Sequence, residues 1–209
     1  MPSKTPLEIA ILARAPRPGR CKTRLFPALG ARGAARLQAQ LIERSLRLGL
    51  SQGLSPTLWV TPDIRHPVFL KARRQGIRLR LQAAGNLGRK QQQAIRKGLE
   101  QAERVLVLGT DCPALDPTTL HRLRQGRGLQ WVPATDGGYV ALALESWPAG
   151  LFTAVDWGSP QVLRQVRRNT RRRGMPWQQL RALPDLDRPA DWKAARRAAW
   201  IDGLLRVRD

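Results

Sequence analysis

Carboxylates are scarce in this chain, so those outside helices carry weight. Asp and Glu together number 15 against 37 Lys and Arg, a formal net charge of +22. Asp111 follows four unbroken apolar residues, Val105-Leu106-Val107-Leu108, and the pair Gly109-Thr110. An apolar run without alternation reads as a strand buried on both faces. Glycine permits a sharp exit, and Pro113 ends any ladder beyond the carboxylate. Asp111 therefore stands just past the carboxyl end of a central strand, where open α/β sheets place their ligands. The same position also suits an aspartate that only shapes a turn. Asp136 precedes Gly137-Gly138, where backbone approaches a ligand or simply turns; it is the candidate general base. Asp185 and Asp187 lie in the loop from Pro184 to Pro189. Asp116 and Asp191 read as helix-start residues, beside Pro117 and just after Pro189.

A second constellation is cationic. Arg14, Arg17, Arg20, Lys22 and Arg24 surround Gly19 in a loop whose centre, with Pro16 and Pro18, cannot be helical. A strand, a glycine-bearing basic loop and then a helix suit a phosphate cradle, though an ordinary basic loop has the same composition. The loop is neither a Walker sequence nor a GxGxxG dinucleotide site. Arginine, with its planar fork of donors, is a natural phosphate partner.

The elements that must position these groups follow from periodicity. Strands are expected at 7–13, 57–61, 77–82 (alternating, hence an edge), 105–108, 128–132, 139–143 and 177–183. Helices are expected at 33–48 with Gly49 as its stop, 66–74, 86–102 capped by Asn86, 116–124, from Ser159-Pro160 as cap and first residue, and from Pro189 to about Arg206. Strands alternating with helices give a layered α/β sheet. The seven tryptophans fall mostly near loops and helix ends and read as packing.

Composition sets the outer limits. A chain of 209 residues with 42% hydrophobic and 25% charged residues forms one globular domain, 1–209, with a proper core. No apolar run approaches the roughly 18–20 residues that cross a bilayer. The N-terminus lacks the order of a signal peptide, so a cytoplasmic chain is expected. Cys21 and Cys112 make neither a disulfide framework nor a zinc knuckle and are read as reduced thiols. The surplus of arginine fits a polyanion footprint or a coding bias with solvated faces.

Several stretches together resemble a known family. Arg14 to Leu25 resembles the "K-x-P-x-P-G-x-V-K-T-R-L" loop of uncharacterised glycosyltransferase-A-type transferases (selenodomain-associated, glycosyltransferase-like). These are related to 2-phospholactate guanylyltransferase and to molybdenum-cofactor nucleotidyltransferases. Gly109 to Leu115, Asp136-Gly137-Gly138-Tyr139, Trp157-Gly158-Ser159-Pro160 and Asp185 to Asp191 match later motifs in order. The chain departs at Arg14, where Lys is common, at Gly158, where Ser is common, and at Asn86, which replaces an acid in "G-D-L-G-x-R".

The resemblance implies a three-layer α/β/α sandwich on a mostly parallel mixed sheet, the nucleotide-diphospho-sugar transferase (GT-A, Rossmann-like) architecture. It implies a Mg²⁺- or Mn²⁺-dependent transferase whose donor is a nucleoside triphosphate or nucleotide-sugar and whose acceptor is a small molecule, phosphorylated or not. Asp111 and Asp187, or its neighbour Asp185, would be the metal-side carboxylates. Lys22, Asp111 and Asp136 would be catalytic. Arg14, Gly19, Lys22, Arg24, Asn86, Gly137 and Gly138 would meet the nucleotide and its phosphates. The alternative is a basic nucleic-acid-binding protein on an inactive transferase scaffold.

Overall fold

The computed structural model describes residues 4–201. Seven strands form one sheet: β1 (Glu8–Arg14), β2 (Thr57–Thr61), β3 (Arg78–Leu81), β4 (Val105–Gly109), β5 (Leu129–Pro133), β6 (Tyr139–Leu144) and β7 (Trp177–Gln179). Their order is β3-β2-β1-β4-β6-β5-β7. Only β6 runs against its neighbours β4 and β5; the other pairings are parallel. Six helices accompany them: α1 (Phe26–Leu50), α2 (Pro67–Arg74), α3 (Leu87–Leu99), α4 (Pro117–Gln125), α5 (Val162–Arg171) and α6 (Pro189–Arg197).

Side-chain alternation along the central strands explains the layers. On β1, Ile9, Ile11 and Ala13 face a cluster that includes Ile42 and Leu46 of α1, Phe69 of α2 and Leu120 and Leu123 of α4. Ala10 and Leu12 face the opposite cluster, with Ala94 and Ile95 of α3 and Leu163 and Val166 of α5. On β4, Leu106 and Leu108 join the first cluster, and Val105 and Val107 the second. Because both faces are covered, the buried stretches 9–13 of β1 and 105–108 of β4 are apolar without a break. A third cluster, around Leu25, Leu37, Leu41, Leu186 and Ala195, docks α6 against α1. The result is the three-layer α/β/α sandwich with a mostly parallel mixed sheet that the sequence implied.

Several expected boundaries move. α1 begins at Phe26 rather than residue 33, because Pro27 fits its first turn; Gly30, at φ 62° and ψ 173°, kinks the helix there. Gly49 does not stop it: the helix runs to Leu50 with Ser51 as C-cap, and Gly49 packs on Pro56. α3 ends at Leu99, short of residue 102. α5 starts at Val162, not after Ser159; the Ser159 hydroxyl accepts from the Gln161 amide at 3.3 Å, as a cap would, and also donates to the Asp156 carbonyl at 2.8 Å. β7 covers only Trp177–Gln179, although Leu180 and Leu183 still donate to the carbonyls of Trp131 and Pro133. α6 stops at Arg197; the expected extension past 201 lies outside the described residues. Trp59, Trp131 and Trp177 sit on strands rather than near loops, because their rings fill space between sheet and helices.

Candidate functional site

A cavity of 630 Å³ opens beyond the carboxyl ends of β4 and β5, beside the start of the reversed strand β6. Its position follows the rule that open α/β sheets bind ligands at their strands' carboxyl ends. Its size falls within the usual range of ligand pockets.

Asp111 stands on its wall, directly after β4. Its carboxylate meets Lys22 at 2.7 Å. The Lys22 side chain is only 4% exposed, whereas that of Asp111 is 56% exposed. Lys22 also donates to the Leu186 carbonyl at 2.7 Å, and the Leu186 amide donates to the Asp111 carbonyl at 2.7 Å. These bonds tie the basic loop, the β4 exit and the 185–187 loop into one unit. Lys22 reaches inward from a left-handed backbone, φ 46° and ψ 43°. Such a conformation costs a non-glycine residue about 1 kcal/mol or more and persists where its surroundings enforce it. From behind, α1 clamps the same exit: Gln38 donates to the Thr110 hydroxyl at 3.2 Å, and Arg44 Nε to the Pro113 carbonyl at 3.0 Å.

Asp187 lines the cavity too, paired with Arg24 at 2.7 Å. Asp191 accepts from the amides of Asp187 and Arg188, which fixes the 187–188 turn ahead of α6. Asp185 lies between these groups without an ion pair among the described residues. Burial, then the like charges of Asp136, Asp191 and Asp187, push its carboxyl up to about 6. Asp136 does shape a turn, accepting from the Gly138 amide at 2.9 Å, yet it also lines the cavity.

Apolar and aromatic side chains line the cavity as well, from Leu12, Leu87, Tyr139, Trp157 and Val162. The Tyr139 hydroxyl donates to Gln91, and burial raises its pKa. Gly88 lies so close to Trp157 that a Cβ there would stand 2.5 Å from the indole nitrogen. Gly137, at φ 94°, faces the Pro160 carbonyl oxygen, which a Cβ would approach to 2.1 Å.

The sequence-derived residues divide by place. Arg24, Asp111, Asp136, Gly138, Asp185 and Asp187 line the cavity, and Lys22 supports Asp111 from beneath. Arg14 ends β1, and Gly19 turns the basic loop at φ 79°; neither lines the cavity. Asn86 caps α3, accepting from the Arg89 amide at 3.1 Å, and Gly137 stands behind Gly138; these two are not in the lining either. Tyr139, Gln91, Trp157 and Arg188 line the site and were not expected there. Tyr139, Trp157 and Arg188 each lie in a stretch that carried a sequence signal, Asp136-Gly137-Gly138-Tyr139, Trp157-Gly158-Ser159-Pro160 and Asp185 to Asp191, whereas Gln91 had none. Both cysteines are free, and burial pushes the Cys112 thiol up to about 12, which disfavours a nucleophilic thiolate.

Among the described residues no cluster of three or more His, Cys, Asp or Glu side chains could hold a metal ion. Magnesium is commonly held by one or two carboxylates with waters and substrate phosphates as its remaining ligands. Asp111 and Asp187 fit that demand: both line one cavity, and their side chains stay 56% and 36% exposed despite the ion pairs with Lys22 and Arg24.

The fold has close counterparts. A protein from Desulfovibrio desulfuricans G20 assigned as a nucleotide-diphospho-sugar transferase superposes with a TM-score of 0.86 at 23% identity, over 97% of each chain. A nucleotidyl transferase from Methanothermobacter thermautotrophicus matches at TM-score 0.65 and 17% identity, over 94% of this chain and 98% of that one. An inositol-1-phosphate CTP transferase from T. maritima matches at 0.61 and 12%, over 98% and 99%. No curated protein matches the sequence. The family model described as "Uncharacterized protein conserved in bacteria (DUF2064)" matches residues 45–159, from late α1 to the Trp157 loop. That span is more than half of the chain and contains Asp111 and Asp136, and the chain belongs to this family.

Proposed function

We propose that this protein is a Mg²⁺- or Mn²⁺-dependent transferase that takes a nucleoside triphosphate or nucleotide-sugar and passes a nucleotidyl or glycosyl group to a small acceptor. One observation carries the reading. Asp111 and Asp187 converge on one cavity at the carboxyl ends of the strands, with Lys22 and Arg24 bonded to them. The fold shared with nucleotidyl and nucleotide-sugar transferases supports it.

Asp111 and Asp187 would hold the metal, which would supply positive charge against the donor phosphates. Lys22 holds Asp111 in place through their 2.7 Å ion pair, and with Arg24 it adds positive charge where the leaving phosphate develops negative charge. The basic loop from Arg14 through Gly19 guides the anionic donor toward the cavity. Gly138 keeps backbone low beside the ligand, and Asn86 fixes the start of α3, from which Leu87 and Gln91 reach the cavity. Asp136 takes the acceptor's proton; Oδ1 is held by Gly138, and the other oxygen has no protein partner among the described residues.

Thermal unfolding with a panel of nucleoside triphosphates and nucleotide-sugars, with and without Mg²⁺, tests this directly. A ligand that binds only the folded state adds about 2.7 kcal/mol at a hundredfold excess over Kd. The expected result is a Mg²⁺-dependent rise in midpoint that disappears in Asp111→Ala. A rise that survives in Asp111→Ala would overturn the assignment.

A further inference from the structure

We infer that the acceptor taken by this cavity is uncharged and rich in hydroxyl groups, a sugar or cyclitol, and that the site disfavours its phosphate ester. The inference rests on the transferase reading and narrows its acceptor. Five carboxylates line the cavity, those of Asp111, Asp136, Asp185, Asp187 and Asp191, against the two cations Arg24 and Arg188. Asp111 and Asp187 are matched by Lys22 and Arg24. Asp136, Asp185 and Asp191 have no ion-pair partner among the described residues. Backbone amides hold Asp136 and Asp191 in place without cancelling their charge.

A phosphate ester would add about two negative charges beside these carboxylates. Ionised carboxylates only accept hydrogen bonds, so they favour a ligand whose rim donates. Hydroxyl groups donate. The apolar and aromatic part of the lining has the complementary character. Trp157 packs against Phe152, whose ring meets it edge-on at 5.0 Å, and against Gly88. Tyr139 presents its ring, since its hydroxyl is committed to Gln91. An aromatic wall takes the C–H face of a sugar or cyclitol while the hydroxyl rim turns toward the carboxylates. Arg188, exposed at the rim, is the one lining cation without a carboxylate partner among the described residues, and so the one group there that would favour a phosphate.

The test is calorimetric titration of matched pairs: glucose and glucose 1-phosphate, myo-inositol and inositol 1-phosphate, glycerol and glycerol 3-phosphate. Each is run with Mg²⁺, with and without the nucleotide that stabilises the protein. The uncharged member of at least one pair is expected to bind about tenfold or more tightly than its ester. Asp136→Asn combined with Asp185→Asn should narrow that gap by improving the ester. Tighter binding of the esters, lost in Arg188→Gln, would overturn the inference, as would no binding of any uncharged probe. Nucleotide binding is read first on the same protein; its failure removes the transferase reading, while the pairs titrated without nucleotide still decide the charge preference.

Discussion

Asp185 shows how a single side chain registers the character of this site. Its carboxyl titrates near 6 rather than 3.8 because it is half-buried and faces Asp136, Asp191 and Asp187. Below about pH 3.8 it is protonated in both folded and unfolded chains and has no effect on stability. Between that value and about 6 the unfolded chain releases its proton first, so stability falls as pH rises, and above 6 the loss is complete. A shift of this size would correspond to about 3 kcal/mol if fully buried; solvent screening at a half-exposed group reduces it to about 1 kcal/mol. Urea unfolding with a chelator present, from pH 3.5 to 7.5, should therefore show wild type losing about 1 kcal/mol relative to Asp185→Asn across that window. The difference between the two proteins is the readout, because Asp63, held below the usual carboxylate range chiefly by the Arg65 amide, adds an opposite slope to both. Parallel pH curves would show that Asp185 is not crowded by its neighbours.

Between elements, the site depends on two glycines that let a helix and a loop come unusually close. Gly88 on α3 admits the edge of Trp157, a side chain that can swing, whereas Gly137 admits the carbonyl of Pro160, a fixed backbone atom. Gly137 also has φ 94°, which an alanine adopts only with strain. Gly137→Ala is therefore expected to destabilise by about 3 kcal/mol or more and Gly88→Ala by about 1–2 kcal/mol, in urea melts at one pH. Gly88→Ala should also shift the indole N–H resonance of Trp157, identified through Trp157→Phe. Equal losses for the two variants would contradict the contacts described. Such contacts join residues far apart in the chain, which is why the sequence could not reveal them. Asp111 was legible because an unbroken apolar run followed by glycine and proline has one good structural solution. The caps at His66, Asn86 and Asp116 were legible too, since capping is local: their side chains accept from the amides of Val68, Arg89 and Thr119. Ser159 does accept from the Gln161 amide, but the regular helix starts only at Val162, with the Pro160 carbonyl lying against Gly137. Tyr139 and Trp157 stood in motifs the sequence showed, but their meeting with Gln91 in one cavity was hidden because the three come from separate elements.

Over the whole molecule, the charge of +22 raises the question of a polyanionic partner. Its densest concentration runs along α5 and just beyond, where Arg164, Arg168, Arg171 and Arg172 have no carboxylate partner among the described residues. Arg167 lies over the rings of Trp131 and Trp177, and Arg171 lies over Trp177. These rings are covered by guanidinium groups, and Trp131 is fully buried, so that face offers no open platform for stacking bases. What remains is contact with phosphates, which carries no sequence information and weakens steeply with salt. Single-stranded RNA is therefore expected to bind at low ionic strength with little sequence preference and to release as NaCl approaches physiological levels. Replacing Arg164, Arg168 and Arg172 together by Gln should flatten the log–log salt slope by about 2, near 0.7 per lost phosphate contact. Fluorescence anisotropy across a NaCl series reads both quantities. RNA that stays bound at physiological salt, with a slope set by α5, would make nucleic acid a partner in its own right. Release there, with nucleotide binding intact, leaves the arginines as a field that draws small anions toward the cavity, where the aspartates select what stays.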